Sequence, residues 1–305
     1  MESLVRQDAA TEVAIQTVID SLDSSHSKRA YQRHLREFIA WHQASGQTEL
    51  NKATVQRYAA QLRESGSSAA TINQRLSAIR KLATEASDNG ALDPQLANGI
   101  RAVKGIRQEG TRSGNWLVKH QAQQLLNAPD INTLKGLRDR AILALLLGCG
   151  LRRTEAAGLT FDRIQQRDGR WVLVDIIGKR NKVRSVPMPA WTKAAIDEYA
   201  ARAELIEGNV FRPVNKGGRT IGERMTEQAI YNMVSEYAQV LGFAKVAPHD
   251  LRRTFAKLAH KGGSGLDQIQ LSLGHSSIQT TERYLGTEQD LTDAPCDRLG
   301  LRLYE

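Results

Sequence analysis

Hydrophobic residues recur at helical spacing along most of this chain, and the period changes in one region only. There, Trp171-Val172-Leu173-Val174-Asp175-Ile176-Ile177 forms a β-branched run bounded by Gly169 and Gly178. A second run, Arg184-Ser185-Val186-Pro187-Met188, follows after a tight basic turn. Runs this close in sequence read as one small antiparallel hairpin. Helical signals resume at Trp191 and continue to the end, so the fold class expected is mainly α (α+β), with one small antiparallel β-sheet.

The first hundred residues read as short amphipathic helices with no strand between them. One helix places Tyr31, Leu35, Phe38 and His42 on one face and Lys28, Arg29, Arg33 and Arg36 on the other. A second follows a Thr54 cap with Val55, Tyr58, Ala59 and Leu62 inward. A third starts near Ser68, buries Ile72, Leu76, Ile79 and Ala83, and shows Arg75, Arg80 and Lys81 outward. Between Lys104 and Asn115 the pattern dissolves into a Gly-rich, basic, unperiodic segment that reads as a linker. The expected organisation is therefore a helical domain over 1–104, a linker over 105–115 and a second domain over 116–305.

At 305 residues, 41% hydrophobic and 25% charged, the chain has the composition of a folded protein, which excludes disorder and fibre repeats. The formal charge of +9 points toward a polyanionic partner. Most of the excess lies in the second domain: 14 basic against 12 acidic residues up to position 110, and 28 against 21 beyond it. Cys149 and Cys296 cannot build a disulfide framework, and no cysteine/histidine spacing suits zinc, so a reducing cytosol is expected. The N-terminus carries no signal pattern, and the apolar run Ala141 to Leu147 is too short to span a bilayer, so no membrane association is expected.

Four clusters in the second domain carry chemistry. They are Gly150-Leu151-Arg152-Arg153-Thr154-Glu155; Gly178-Lys179-Arg180-Asn181-Lys182-Val183-Arg184; Pro248-His249-Asp250-Leu251-Arg252-Arg253; and Leu273-Gly274-His275 with Tyr284 beyond. Singly, each has an ordinary reading: a helix junction with an ion pair, a solvated hairpin tip, a capped helix start, a packing tyrosine. Together they supply what displacement at a phosphodiester requires. Guanidinium pairs stabilise charge on the non-bridging oxygens, a tyrosine hydroxyl can attack, and a lysine at a hairpin tip can protonate the departing alkoxide. No carboxylate cluster for Mg²⁺ is visible.

In order and spacing these motifs resemble those of the tyrosine recombinases of the phage-integrase and Xer type. Gly-Leu-Arg-x-x-Glu is followed by Gly-Lys-x-x-Lys-x-Arg, His-x-Leu-Arg-x-x-x-Ala, and Leu-Gly-His with a Tyr nine residues past that His. The first domain resembles the family's helical core-binding domain in length and pattern, without a sharp motif of its own.

The resemblance implies a site-specific recombinase that cleaves and rejoins DNA through a 3′-phosphotyrosine link, for integration, excision or resolution, with no cofactor, metal or ATP. Arg152 and Arg252 would hold the scissile phosphate, and Lys179 would act as general acid toward the 5′-oxygen. His249 would assist proton transfer, His275 would hydrogen-bond the phosphate, and Tyr284 would attack. Glu155 would orient Arg152 or its helix. Arg33, Arg36, Arg75 and Arg80 in the first domain, with Arg180, Lys182 and Arg253 in the second, are the candidate DNA contacts. Arg153 and Arg253 depart from residues common in the family, aliphatic and His respectively. The chain would start close to the core-binding domain, with no arm-binding module of the kind expected in the larger phage integrases. Its partners would be double-stranded recombination sites in the cytoplasm, at the nucleoid, with room for accessory DNA-bending proteins. A tail bearing Leu299, Leu301 and Leu303 would dock on a neighbouring subunit in a tetramer on DNA. Two rival readings are a type IB topoisomerase-like enzyme and a catalytically silent DNA-binding regulator. The Leu-Gly-His-to-Tyr spacing and the helical first domain favour the recombinase over the former, and the complete set of six side chains favours it over the latter.

Overall fold

A computed structural model describes residues 12–46, 49–107, 115–178 and 182–285, apart from the side chains of Ser25, Arg283 and Tyr284. The expectations placed on Lys179, Arg180, the Tyr284 side chain and the tail with Leu299, Leu301 and Leu303 lie outside the described residues. The chain forms two compact units, Met1–Gly110 and Thr111–Glu305.

The described part of the first unit is all helical: α1 (residues 12–20), α2 (Ser25–Ala44), α3 (Lys52–Glu64), α4 (Ala69–Asp88) and α5 (Pro94–Arg101). The apolar face of α4 centres the core, with Ile72, Leu76 and Ile79 buried against Phe38, Val55, Tyr58 and Ile100. Helix α3 starts earlier than expected. Its cap is Asn51, whose Oδ1 accepts from the Thr54 amide at 3.0 Å, while the buried Thr54 hydroxyl donates to the Glu49 carbonyl. A residue whose methyl group enters the core belongs inside the first turn, which leaves the cap to Asn51. Helix α5 carried too few residues to show a period, yet Asp93 caps it and Pro94 opens it.

The outward orientation expected of Arg75 and Arg80 is corrected. Arg75 donates Nη1 to the Tyr58 hydroxyl at 2.9 Å and holds Glu37 through Nη2 at 2.8 Å. Arg80 donates to the Val103 carbonyl. Helix α4 packs against α2, α3 and α5, so the flanks of its apolar face are covered too. On the same helix, Asn73 grips the chain leaving α5: its Nδ2 donates to the Ile106 carbonyl at 2.9 Å, and its Oδ1 accepts from the Ile106 amide at 2.8 Å.

The second unit is built around α7 (Leu134–Cys149), whose residues from Ala141 to Leu146 are wholly buried. A helix that is apolar all round must be covered all round. Helix α6 (Lys119–Asn127), the short α8 (Arg153–Ala157), α9 (Ala190–Arg202), α10 (Glu227–Val240) and α11 (Pro248–Lys261) surround it, and α12 (Leu266–Leu273) and α13 (Ile278–Leu285) follow α11. A buried charge crosses this core. Asp139 on α7 accepts from Arg138 Nε and Nη2 at 2.9 and 2.7 Å, from Lys135 Nζ at 3.2 Å and from the Tyr237 hydroxyl of α10 at 3.1 Å.

The sheet has three antiparallel strands where a two-stranded hairpin was expected: β1 (Ile164–Arg167), β2 (Arg170–Ile177) and β3 (Val183–Pro187), in that order. Strand β1 reads Ile-Gln-Gln-Arg, so no β-branched run announces it. It pairs with β2 through the two-residue loop Asp168-Gly169, both residues at positive φ, as a tight hairpin of right-handed twist demands. A bulge between Leu173 and Ile176 leaves Asp175 at φ +53, its carbonyl held by Arg163. Beyond it, Ile176 pairs with Arg184 and Ile177 with Val183. No helix among the described residues is long and apolar enough to cross a membrane.

Candidate active site

The first wall of the site is the reversal that ends α7. Gly150 sits at φ +60, and a side-chain carbon there would lie 2.5 Å from the Phe255 ring, so glycine is required on both counts. The chain then runs extended through Arg152, which precedes α8 as its cap. Glu155, three residues on, reaches back: its Oε2 accepts from the Arg152 amide at 2.8 Å and its Oε1 from Arg152 Nη1 at 2.7 Å.

The second wall is the start of α11. Asp250 caps it by accepting from the Ala247 amide at 3.0 Å, and Pro248 occupies its first position. Arg252 follows and is 1% exposed, which makes it the largest fully buried side chain among the described residues. Its Nη1 donates to the Gly150 carbonyl at 2.6 Å and its Nη2 to the Leu273 carbonyl. One guanidinium thus joins the ends of α7 and α12.

Helix α12 ends at Gly274, in the left-handed conformation at φ +63, and this turn delivers His275. His275 Nδ1 lies 3.0 Å from the hydroxyl of Thr281, a buried residue on α13. The same short helix carries Tyr284.

Arg184, on β3, closes the arrangement from below. Its Nη1 and Nη2 each donate to a Glu155 oxygen at 2.9 Å, and its Nε donates to the Ser272 carbonyl at 2.8 Å. Arg184 closes the Gly-Lys-x-x-Lys-x-Arg motif of the sequence, which gave it no partner of its own.

These groups act on one another electrostatically. Burial alone would push the Glu155 carboxyl up, but the hydrogen bonds and charge of Arg184, and then Arg152, outweigh it and hold the group below the ordinary carboxylate range. His249 is held below the ordinary histidine range by burial first and then by Arg253, Arg252 and Arg152. His275 is pushed down to about 4, by burial and then by Arg252, Arg152, His249 and Arg184. At neutral pH both imidazoles are therefore uncharged, between guanidiniums that remain cationic.

Arg152, Glu155, His249, Arg252 and His275 are thus brought together. Arg253 lies beside them on α11, 3.9 Å from Asp250, and Lys182 is exposed at the base of the hairpin tip. Arg33 and Arg36 belong to the first unit, where both are exposed, Arg33 3.8 Å from Glu37 and Arg36 paired with Glu12 at 3.0 Å. Among the described residues no group of three or more His, Cys, Asp or Glu side chains could hold a metal ion. Fixed guanidiniums beside neutral imidazoles form a cradle for a phosphate-like anion, with proton acceptors at its edge.

Comparison with known proteins agrees in both units. Residues 115–290 match the phage integrase family, and residues 19–90 match the phage integrase N-terminal SAM-like domain. Tyrosine recombinase XerC of Xylella fastidiosa is 33% identical over 265 residues, covering 86% of each chain. Tyrosine recombinase XerD of Pseudomonas aeruginosa is 30% identical over 268 residues, again covering 86% of each. In fold, the chain resembles the XerH site-specific recombinase bound to its difH substrate, with a TM-score of 0.65 at 20% identity, covering 87% of this chain and 76% of that one. It also resembles a lambda integrase dimer bound to a core site, with a TM-score of 0.67 at 14% identity, covering 93% of this chain and 79% of that one. With the family matched over more than half its length and relatives of this identity across most of it, the chain belongs to the phage integrase family of tyrosine recombinases, enzymes that break and rejoin DNA strands.

Proposed function

We propose that this protein is a site-specific recombinase that cuts and reseals double-stranded DNA through a 3′-phosphotyrosine intermediate. The observation that carries the reading is the convergence of Arg152, Arg252, His249 and His275, with His275 bonded to the helix that bears Tyr284. In the reaction the Tyr284 oxygen attacks phosphorus while the bond to the 5′-oxygen breaks. His249, uncharged at neutral pH, takes the tyrosine proton, and Lys179 gives one to the departing 5′-oxygen. Arg152 and Arg252 hold the non-bridging oxygens, and His275 donates a further hydrogen bond. The phosphotyrosine bond retains the energy of the diester, so a 5′-hydroxyl from a partner strand reverses the steps, and neither ATP nor a metal ion takes part.

In this reading residues 1–104 form the core-binding domain, 105–115 the linker and 116–305 the catalytic domain, which together engage a recombination site. The first unit contacts DNA through Arg33 and Arg36, and the second through Arg180, Lys182 and Arg253. The apolar tail residues Leu299, Leu301 and Leu303 join subunits into a tetramer on DNA, to which accessory DNA-bending proteins can add. The XerH and lambda integrase structures, each solved on its DNA, support a DNA partner for a chain of this fold.

The test is a DNA duplex nicked beside the cleavage point, which lets the short fragment bearing the new 5′-hydroxyl escape and traps the covalent complex. The native chain is expected to give an SDS-stable adduct in the presence of EDTA, and Tyr284→Phe none. An adduct that survives Tyr284→Phe and vanishes in Tyr304→Phe would place the nucleophile elsewhere.

A further inference from the structure

Glu155 raises a difficulty for the site. Its side chain is 3% exposed and ionised, and it lies against Arg152, one of the two cations proposed to bind the phosphate. A buried carboxylate paired with that cation alone would cancel the charge the phosphate requires.

Arg184 resolves the difficulty by its geometry. Both of its terminal nitrogens fork onto the carboxylate at 2.9 Å, whereas Arg152 spends a single guanidinium nitrogen there. The third nitrogen of Arg184 is spent on the Ser272 carbonyl, so all three nitrogens of its guanidinium are engaged within the fold. Arg184 also lies at the meeting point of two loops. A side-chain carbon at Gly178, the residue before Lys179, would sit 3.3 Å from Arg184 Nη1 and 3.5 Å from Arg152 Nη1. One at Gly274, the residue before His275, would sit 2.8 Å from Arg184 Cδ.

We propose that Arg184 is a positioning residue for strand cleavage: it takes up the charge of Glu155, so that Arg152 meets the phosphate as an uncompensated cation, and it braces the chain at Gly178 and Gly274, the residues that precede Lys179 and His275. The proposal rests on the assignment of Arg152 to the phosphate made above. Glu155 then serves as a rigid strut that aims Arg152 without quenching it, because a second guanidinium absorbs its charge. A bidentate fork on one carboxylate is a task for arginine that lysine performs only in part.

The experiment is single-turnover cleavage of nicked duplex DNA by the full chain carrying Arg184→Met, Glu155→Gln, or both. Arg184→Met leaves Glu155 to Arg152 alone, and cleavage is expected to slow by roughly 100-fold, the scale of losing one charge-stabilising donor. Adding Glu155→Gln removes the carboxylate and is expected to restore about 10-fold of that loss. A brace with no part in charge balance could not be rescued by taking away its partner. A double variant no faster than Arg184→Met, or Arg184→Met as fast as the native chain, overturns the proposal. Should Arg184→Met fail to fold, Arg184→Lys is the second variant. It keeps the charge, and cleavage within about 10-fold of native is expected; a loss as deep as that of Arg152→Ala would refute the charge role. Failure of the underlying reading looks different, since the native chain would then form no Tyr284-dependent adduct at all.

Discussion

Arg252 donates a guanidinium N–H to the carbonyl oxygen of Gly150 at 2.6 Å, across 102 residues of sequence. A second N–H goes to Leu273, so this buried cation holds two helix ends. Arg252→Ala would leave both carbonyls without that donor in a closed interior. It is expected to cost roughly 3–5 kcal/mol of stability in the second unit as well as cleavage. Urea unfolding measures the loss, and native stability in Arg252→Ala would contradict the keystone role.

His275 and His249 make the fold acid-sensitive in a defined window. The unfolded chain binds protons at these rings near 6.5, whereas the folded chain resists protonation, at His275 down to about 4. Above 6.5 neither ring affects stability. As the pH falls from 6.5 toward 4 the unfolded state gains protons that the folded state refuses, and stability drops. Thermal unfolding at pH 7.5, 6 and 5 is expected to show this slope, reduced in His275→Asn. An NMR titration of the DNA-free protein that places the His275 midpoint near 6.5 would show the ring to be unshifted.

The Asp139 cluster gives a stability effect remote from the chemistry. Asp139 has no exposed surface and accepts from Arg138, Lys135 and Tyr237. Asp139→Ala strands the buried Arg138 and is expected to cost about 3–5 kcal/mol. Tyr237→Phe removes one hydrogen bond and is expected to cost about 1 kcal/mol. The Tyr237 hydroxyl is pushed well above its ordinary range by burial and then by Asp139, so it stays a donor at all working pH values. Equal costs for the two substitutions, measured by denaturant unfolding, would refute a charge-centred cluster.

The arginines of the first unit divide into two kinds. Arg33 and Arg36 are 69% and 54% exposed, while Arg75 is 20% exposed and Arg75 and Arg80 are bonded to the fold itself. Arg33→Ala and Arg36→Ala are expected to leave melting unchanged and to lower the salt dependence of DNA binding by about one ion each. Arg75→Ala and Arg80→Ala are expected to cost roughly 1–3 kcal/mol of stability. Unaltered melting in Arg75→Ala would reverse that division.

Much of this is legible in the sequence. The apolar faces of α3 and α4 follow the helical period residue by residue. Arg75 and Arg80 were misplaced because periodicity marks which face is apolar and not how many neighbours cover its flanks. Strand β1 escaped because its side chains are polar, although Asp168-Gly169 is a hairpin signal in its own right. Arg184 left a subtler trace. In a strand, residues two apart share a face, and Val186 is a core residue, so Arg184 had to point inward with it. What it meets there depends on the bulge at Asp175 and the register Ile176 to Arg184, which no local pattern encodes.

The grip of Asn73 on Ile106 has a consequence for engineering the chain. A side-chain amide that satisfies both backbone groups of one residue substitutes for a neighbouring strand, and so ties Ile106, five residues past the last turn of α5, to the body of the first unit. Residues added after Arg107 should leave this clasp intact. A single deletion between Ala102 and Ile106 would pull the clasped residue out of reach, and the first unit would register the loss. The chain thus offers a stated position at which its two halves can be lengthened, labelled or exchanged with those of a relative.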